Sequence, residues 1–581
     1  MKLQTIALLA SAFGAATVYA GDSGKRTTTR HPTTRTSITG TATGTPCAGN
    51  TANNRSAWCN YSINTDYETV APDTGVTREY WLEVDEKAIA ADGFSRPAMV
   101  VNGTMPGPTI FADWGDTVVI HVTNKLDQAR NGSSIHWHGI RQNFTNPNDG
   151  VVSITQCPIA PGSTMTYKWR AVQYGTSWYH SHIGLQAWEG VFGGIVINGP
   201  ATANYEVDKG VLFLTDWTHQ TVDELYIVQE TLGPQSLTNG LINGTNVFGT
   251  GANATGHRFT TKVNAGTSYR LRLVNAAIDT HWKFTIDNHT MTVVAMDLVP
   301  IKPFTTNVLS IGMAQRYDVV ITANQASVAD SFWIRAIPGS GCSENDNADN
   351  IRGILYYGAN ATTPQSNVTS FTNNCDDEPL SELIPWIPKN VESPVWDNST
   401  GVTLVNNTTP NHLFRWELNH TSMKVLWEDP TLMQIYNNQM NFTNSSGVIQ
   451  LPGKNEWVYL LINTTLPITH PIHLHGHDFS VLAQGSGLWN GTMNTQNPPR
   501  RDTAMLPASG FLMIAFETNN PGAWLMHCHI GWHIEEGFAL QFIERYDEIH
   551  NLVDYAALEQ NCKKWDAYDT ALNIMQDDSG V

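Results

Sequence analysis

Four short histidine clusters constrain this chain more than any other feature. They are His136-Trp137-His138, His180-Ser181-His182, His470-Pro471-Ile472-His473-Leu474-His475 and His527-Cys528-His529-Ile530-Gly531-Trp532-His533. Side chains alternate along a β-strand, so residues i and i+2 share a face. Each His-x-His thus offers two imidazoles side by side, and four pairs can converge as eight nitrogens. The clusters hold half of the chain's 20 histidines, a concentration that isolated structural histidines do not produce. Imidazole suits copper, zinc, iron and nickel. His31, His121, His257 and His550 stand apart and read as ordinary, and His477 falls outside the pattern.

Cys528 narrows the metal. Between two histidines on a strand, its sulfur faces away from their rings. His470 and His533 are the histidines left over from the four pairs, and two His with one Cys in a trigonal arrangement make a blue-copper electron-transfer site. Phe538, after Gly537, stands where a weak axial methionine would otherwise sit. A side chain that cannot coordinate there favours Cu(I) and raises the potential. Structural zinc prefers a closed, cysteine-rich set of four, and ten His with one Cys do not match it. The Cys-x-x-Cys-His and cysteine-run motifs of haem and iron–sulfur proteins are missing.

The rest of the chain says what carries these clusters. At roughly 150 residues per domain, 581 residues suggest three to four domains. Segments such as Thr117–Val122, Tyr269–Val274 and Tyr317–Ile321 read as strands of antiparallel sandwiches, so the fold class is all-β. The best helical signal is short, Asn551 to Leu558. Composition shifts at 198–200 and again over 359–394 divide the chain into three sandwich-sized pieces. The first and third carry His-x-His pairs, and the middle one carries none.

Charge and termini narrow the setting. With 33 Lys and Arg against 52 Asp and Glu, the net charge is −19, which disfavours a nucleic-acid partner. Lys2, the apolar run Ile6 to Val18 and Val18-Tyr19-Ala20 form a signal peptide over residues 1–20. A Thr/Ser/Gly/Pro-rich segment, 21–46, with Lys25-Arg26 inside it, reads as a pro-segment or a disordered N-terminus. About eighteen Asn-x-Ser/Thr sequons, Asn131, Asn253 and Asn490 among them, suit a secreted glycoprotein. No other apolar run is long enough for a membrane anchor. Seven cysteines, an odd number, leave one unpaired in such a protein.

In this order, the four clusters resemble the copper signatures of the multicopper oxidases. Tyr174-Gly175-Thr176-Ser177-Trp178-Tyr179-His180-Ser181-His182, Asn497-Pro498-Pro499-Arg500-Arg501-Asp502 and Asn520-Pro521-Gly522-Ala523-Trp524 resemble fungal laccases, particularly those of ascomycetes. The resemblance runs from about Cys47 to the last residue. It implies three consecutive cupredoxin-like Greek-key sandwiches, at 47–200, 201–375 and 376–581, and four coppers. By resemblance, His470, Cys528 and His533 hold the type-1 copper, with Phe538 axial, where the family more often has Leu or Met. His136 and His473 hold the type-2 copper. His138, His180 and His529 hold one type-3 copper, and His182, His475 and His527 the other.

Asp149, thirteen residues after His136, matches the acid that relays protons to the trinuclear site. Asp279 matches the acid that binds phenolic substrate beside the type-1 site. The ending Asp578-Ser579-Gly580-Val581 resembles a tail that enters the trinuclear channel, although the family usually ends in Leu. The same resemblance pairs Cys47 with Cys59, Cys157 with Cys562 and Cys342 with Cys375, which leaves Cys528 as the thiolate.

The implied function is a secreted, monomeric laccase: phenols or aryl amines as donors, dioxygen as acceptor, neither nucleic acid nor membrane as partner. Ascorbate oxidase, ferroxidase and a non-catalytic copper or electron-carrier cupredoxin are the alternatives. A carrier leaves eight histidines unexplained.

Overall fold

Strand Thr117–Asn124 shows how the pattern becomes structure: Val118, Ile120 and Val122 are buried while Thr117, Val119, His121 and Thr123 are half-exposed. One face meets a core and the other meets water. The computed structural model describes residues 47–126, 132–409, 412–576 and 578–581. The expected signal peptide and pro-segment, and the Asn131 sequon, lie outside the described residues.

Three β-sandwiches follow one another. In the first, a sheet ordered Arg96–Val101, Thr77–Ile89, Thr117–Asn124, Thr164–Arg170 faces one ordered Gly107–Asp113, Phe192–Asn198, Gly175–His180, His136–His138. A six-stranded and a five-stranded sheet build each of the other two. In the middle sandwich the six-stranded sheet runs from Asn239–Ile242 to Val299–Thr306, and in the third from Phe414–Leu418 to Arg500–Arg501. The five-stranded sheet of the third carries Gly522–Cys528 beside His470–Leu474. One continuous apolar core joins the middle and third sandwiches, and the first has its own.

Two expectations need correction. The sheets are not purely antiparallel: Thr77–Ile89 pairs parallel with Thr117–Asn124, and parallel pairs recur in the other two sandwiches. Parallel neighbours need a crossover connection, which hairpin-scale turn signals do not reveal. The C-terminal helix spans Tyr555–Leu572, later and longer than expected, because the Asp554 side chain caps it by accepting from Ala557 N. A second helix, Val222–Leu232, starts at a capping box made by Thr221 and Glu224.

The structure pairs Cys47–Cys59, Cys157–Cys562 and Cys342–Cys375 and leaves Cys528 free and buried. Cys157–Cys562 ties the first sandwich to the C-terminal helix across 405 residues. Among the described residues, no helix is long and apolar enough to cross a membrane.

Candidate metal centre

Ladder register brings the histidines together. His136 pairs with His180 in the first sandwich, and His473 pairs with His527 in the third. Directly opposed residues have Cβ atoms about 5 Å apart, so each ladder presents imidazoles as a block. Period-two alternation turns Trp137 the other way, into the first core against Tyr167 and Tyr179. His182, His475 and His529 lie just beyond their strands. His529 is fixed there by its N–H, which donates to Pro471 O at 2.8 Å. Pro471 itself stands before the ladder to Gly522–Cys528 begins, at Ile472.

The two blocks meet face to face and form a basket of eight imidazoles. Ring centroids of His136 and His475 lie 4.1 Å apart, and those of His138 and His473 lie 3.9 Å apart. His182 sits 5.4 Å from His527, and His529 sits 5.1 Å from His138 and 5.4 Å from His180. Ligand atoms of His136, His473 and His475, of His136, His138 and His180, and of His182, His475 and His527 cluster within 4.8 Å.

Hydrogen bonds leave one nitrogen of most of these rings open. The Nδ1 atoms of His136, His180, His473 and His527 donate to the carbonyls of Asp149, Ser181, Asp502 and Cys528. His475 Nδ1 donates to Asp149 Oδ2 at 2.9 Å. The Nε2 atoms of these five rings are buried without a hydrogen-bond partner. His138 is reversed: Nε2 donates to Asp502 Oδ1 at 3.2 Å and Nδ1 is the open atom. Such orphaned buried nitrogens cost free energy unless a cation takes them, so the basket fits a group of metal ions. Burial holds His138, His180, His182, His473, His475 and His529 well below the ordinary imidazole range, and neighbouring imidazoles reinforce it. His527 falls to about 3, again by burial. These rings are therefore neutral, the form that binds metal.

The second centre is a triangle. His470 Nδ1 and His533 Nδ1 are 3.1 Å apart, and Cys528 Sγ lies 3.8 and 3.5 Å from them. Those edges suit one ion with bonds of roughly 2.0 Å to nitrogen and 2.3 Å to sulfur. His533 stands on the short helix Gly531–Glu535. Burial pushes the Cys528 thiol well up, and Asp279 and Glu536 add to it, so a thiolate there needs a cation beside it. Phe538 is buried with its ring 5.2 Å from His470.

The other expected residues fall as follows. Asp149 is fully buried between His136 and His475. Asp279 lies on the middle-sandwich loop whose Ile278 O accepts from Gly531 N at 3.0 Å, which docks the loop on the His533 helix. Its own N–H donates to Asp216 Oδ2 at 3.0 Å. Burial, then Asp216, push the Asp279 carboxyl well up, and burial raises Asp216 to about 6. The tail is tucked in: Ser579 N donates to Glu535 O, Ser153 Oγ donates to Gly580 O, and Val581 is buried in the same cluster as Ile183. Gly580 has φ +92°, and a Cβ there would stand 2.2 Å from Val425 O. His477 is turned aside, bonded to His475 O and Glu544.

Two residues of the site carry no expectation from sequence. Asp502 supports His138 and His473, and its one sequence signal is its place at the end of Asn497–Asp502. Trp416 covers the triangle, its ring 4.2 Å from His533 and 5.0 Å from His470. Its indole N–H donates to Glu536 Oε2 at 2.8 Å. Trp416 stands in no histidine motif, so nothing local marks it.

Comparison with known proteins agrees with this geometry. Multicopper oxidase sequence families match residues 83–202, 208–360 and 406–548. Laccase-2 of Botryotinia fuckeliana is 46% identical over 571 residues, 95% of this chain and 96% of the relative. The laccase of Neurospora crassa is 40% identical over 566 residues, 92% of this chain and 89% of the relative. The crystal structure of a Botrytis aclada laccase superposes with a TM-score of 0.87 at 46% identity, covering 92% of this chain and all of that one. Fet3p, a multicopper oxidase that functions in iron import, gives 0.75 at 27% identity, covering 84% and 95%.

Proposed function

The chain belongs to the multicopper oxidase family, in its fungal laccase branch, and from that premise we propose how its residues divide the chemistry. Copper bound at the two centres supplies one-electron redox chemistry, in which four one-electron oxidations of a phenol or aryl amine are matched to reduction of dioxygen to two waters. We assign one copper to His470, Cys528 and His533 and three to the basket: His136 and His473 for the type-2 ion, His138, His180 and His529 for one type-3 ion, His182, His475 and His527 for the other.

One observation carries the reading: Cys528 lies between His527 and His529 in sequence, so a single residue joins the triangle to the basket through covalent bonds. Trp416 and Phe538 keep water from the triangle. His533, 5% exposed against 0% for His470, is the ring nearer the donor. Asp279 takes the phenol proton as the electron leaves. Asp149 relays protons to the water-forming side, since its carboxylate lies between His136 and His475 and its Oδ1 is buried without a hydrogen-bond partner. Phe538, buried beside His470, offers no donor atom to the triangle, and copper held there by His470, Cys528 and His533 would be favoured as Cu(I). The three sandwiches correspond to residues 47–200, 201–375 and 376–581, and the chain acts as a secreted monomer after loss of residues 1–20.

The test is oxygen uptake by the copper-loaded chain with phenols, ascorbate and Fe(II), alongside metal analysis. Phenols should be the best donors. Uptake confined to ascorbate or Fe(II) would favour the corresponding oxidase, and a copper-loaded chain that consumes no oxygen would make it a carrier.

A further inference from the structure

The middle sandwich contributes no histidine to the basket, yet one of its side chains reaches the basket wall. Arg316, fully buried, begins strand Arg316–Thr322. Its Nη1 and Nη2 donate to the two carboxylate oxygens of Asp502, in the third sandwich, each at 2.6 Å. Asp502 holds one histidine from each flanking sandwich: Oδ1 accepts from His138 Nε2 at 3.2 Å, and the carbonyl accepts from His473 Nδ1 at 2.7 Å. We propose that Arg316, acting through Asp502, is a positioning residue of the trinuclear site, by which the copper-free middle sandwich sets the orientation of His138 and His473. This rests on the assignment of those two histidines to copper.

Three observations converge on it. First, His138 is the one basket ring bonded through Nε2, which leaves Nδ1 facing inward, and Asp502 imposes that reversal. Partners behind a ligand fix its tautomer and ring angle. A carboxylate gripped by both arms of a guanidinium has no freedom to rotate, a constraint that a lysine does not impose.

Second, the charges close on themselves. Asp297, also from the middle sandwich, accepts from Arg316 N at 3.0 Å, Asp502 N at 3.2 Å and Arg501 Nε at 3.1 Å. Two arginines and two aspartates thus neutralise one another where an isolated charge would be costly.

Third, the packing leaves no slack. Gly139, directly after His138, has φ +72°, and a Cβ there would lie 2.3 Å from Arg316 Nη2 and 2.5 Å from Asp502 Oδ2. The glycine that follows His-Trp-His is where the first sandwich makes room for the ion pair of the other two.

The experiment compares copper-loaded wild type with Arg316→Met, Arg316→Lys and Gly139→Ala, after dialysis against a mild chelator. Copper per chain, blue absorption and the paramagnetic resonance of the non-blue copper are read in each. Arg316→Met and Gly139→Ala should keep the blue absorption while the basket retains copper about 10–100-fold less tightly, with an altered non-blue signal. Arg316→Lys should fall between them and wild type.

Arg335→Met is the control for a merely structural effect. It removes a buried pair with Asp287 in the same sandwich, apart from the basket histidines, and should leave the non-blue signal unchanged. Wild-type copper retention and signal in both Arg316→Met and Gly139→Ala would overturn the proposal, as would an equal loss in Arg335→Met. Should Arg316→Met fail to fold, Gly139→Ala and Arg316→Lys decide. A wild-type chain that takes up no copper would instead overturn the functional reading beneath it.

Discussion

The triangle and the basket hold imidazoles in opposite ways. In the basket the second nitrogen of His136, His138, His180, His473, His475 and His527 is hydrogen-bonded, twice to a carboxylate. At the triangle, His470 Nε2 is buried with no partner, and aromatic rings of Trp416 and Phe538 hold the imidazoles instead. Electron transfer alone needs a dry, rigid pocket in which the ion's surroundings barely change. Forming water needs protons, and the carboxylates of Asp149 and Asp502 stand only on that side. On the proposed assignment, electrons enter beside Asp279, protons reach dioxygen beside Asp149, and Cys528 joins the two centres.

Five substitutions break or sharpen that division. Cys528→Ser should have the largest effect, abolishing both the blue absorption and steady-state turnover while the basket still binds copper; retained blue colour would dissolve the triangle. Asp149→Asn should slow oxygen turnover by about 10–100-fold and leave anaerobic bleaching of the blue band by a donor untouched. Slower bleaching would mean that the two centres are not separate.

Asp279→Asn should cost about 100-fold with phenols, the low end of the scale of a lost general base, and little with a donor that has no proton to lose. The pH sign follows from the raised carboxyl of Asp279. As a base it works only above its pKa, so phenol oxidation should climb with pH through that raised value. Removing the neighbouring charge in Asp216→Asn lowers the pKa and should move the climb to lower pH; a move upward would contradict the assignment. Phe538→Met should have the smallest effect, a lower blue-copper potential with turnover altered in proportion, and a higher potential would reverse the axial argument.

What was legible in the sequence was local. His-x-His spacing, read at period two, placed the rings on one face, and ladder register in the structure completes the blocks. The 405-residue span of Cys157–Cys562 became readable only through family resemblance. Arg316 and Asp502, 186 residues apart, meet only because three sandwiches pack around one point, and no short motif encodes that packing. The C-terminal helix outruns its local signal for a simpler reason: its start depends on the Asp554 cap rather than on an apolar stripe.

The central claim is that four one-electron oxidations at the triangle end as water in the basket. Its most direct measurement is the ratio of phenol consumed to dioxygen consumed by the fully copper-loaded chain, with peroxide assayed in parallel. Four phenols oxidised per dioxygen, with no peroxide released, is the expected result. Two phenols per dioxygen, with peroxide appearing in equal amount, would contradict it.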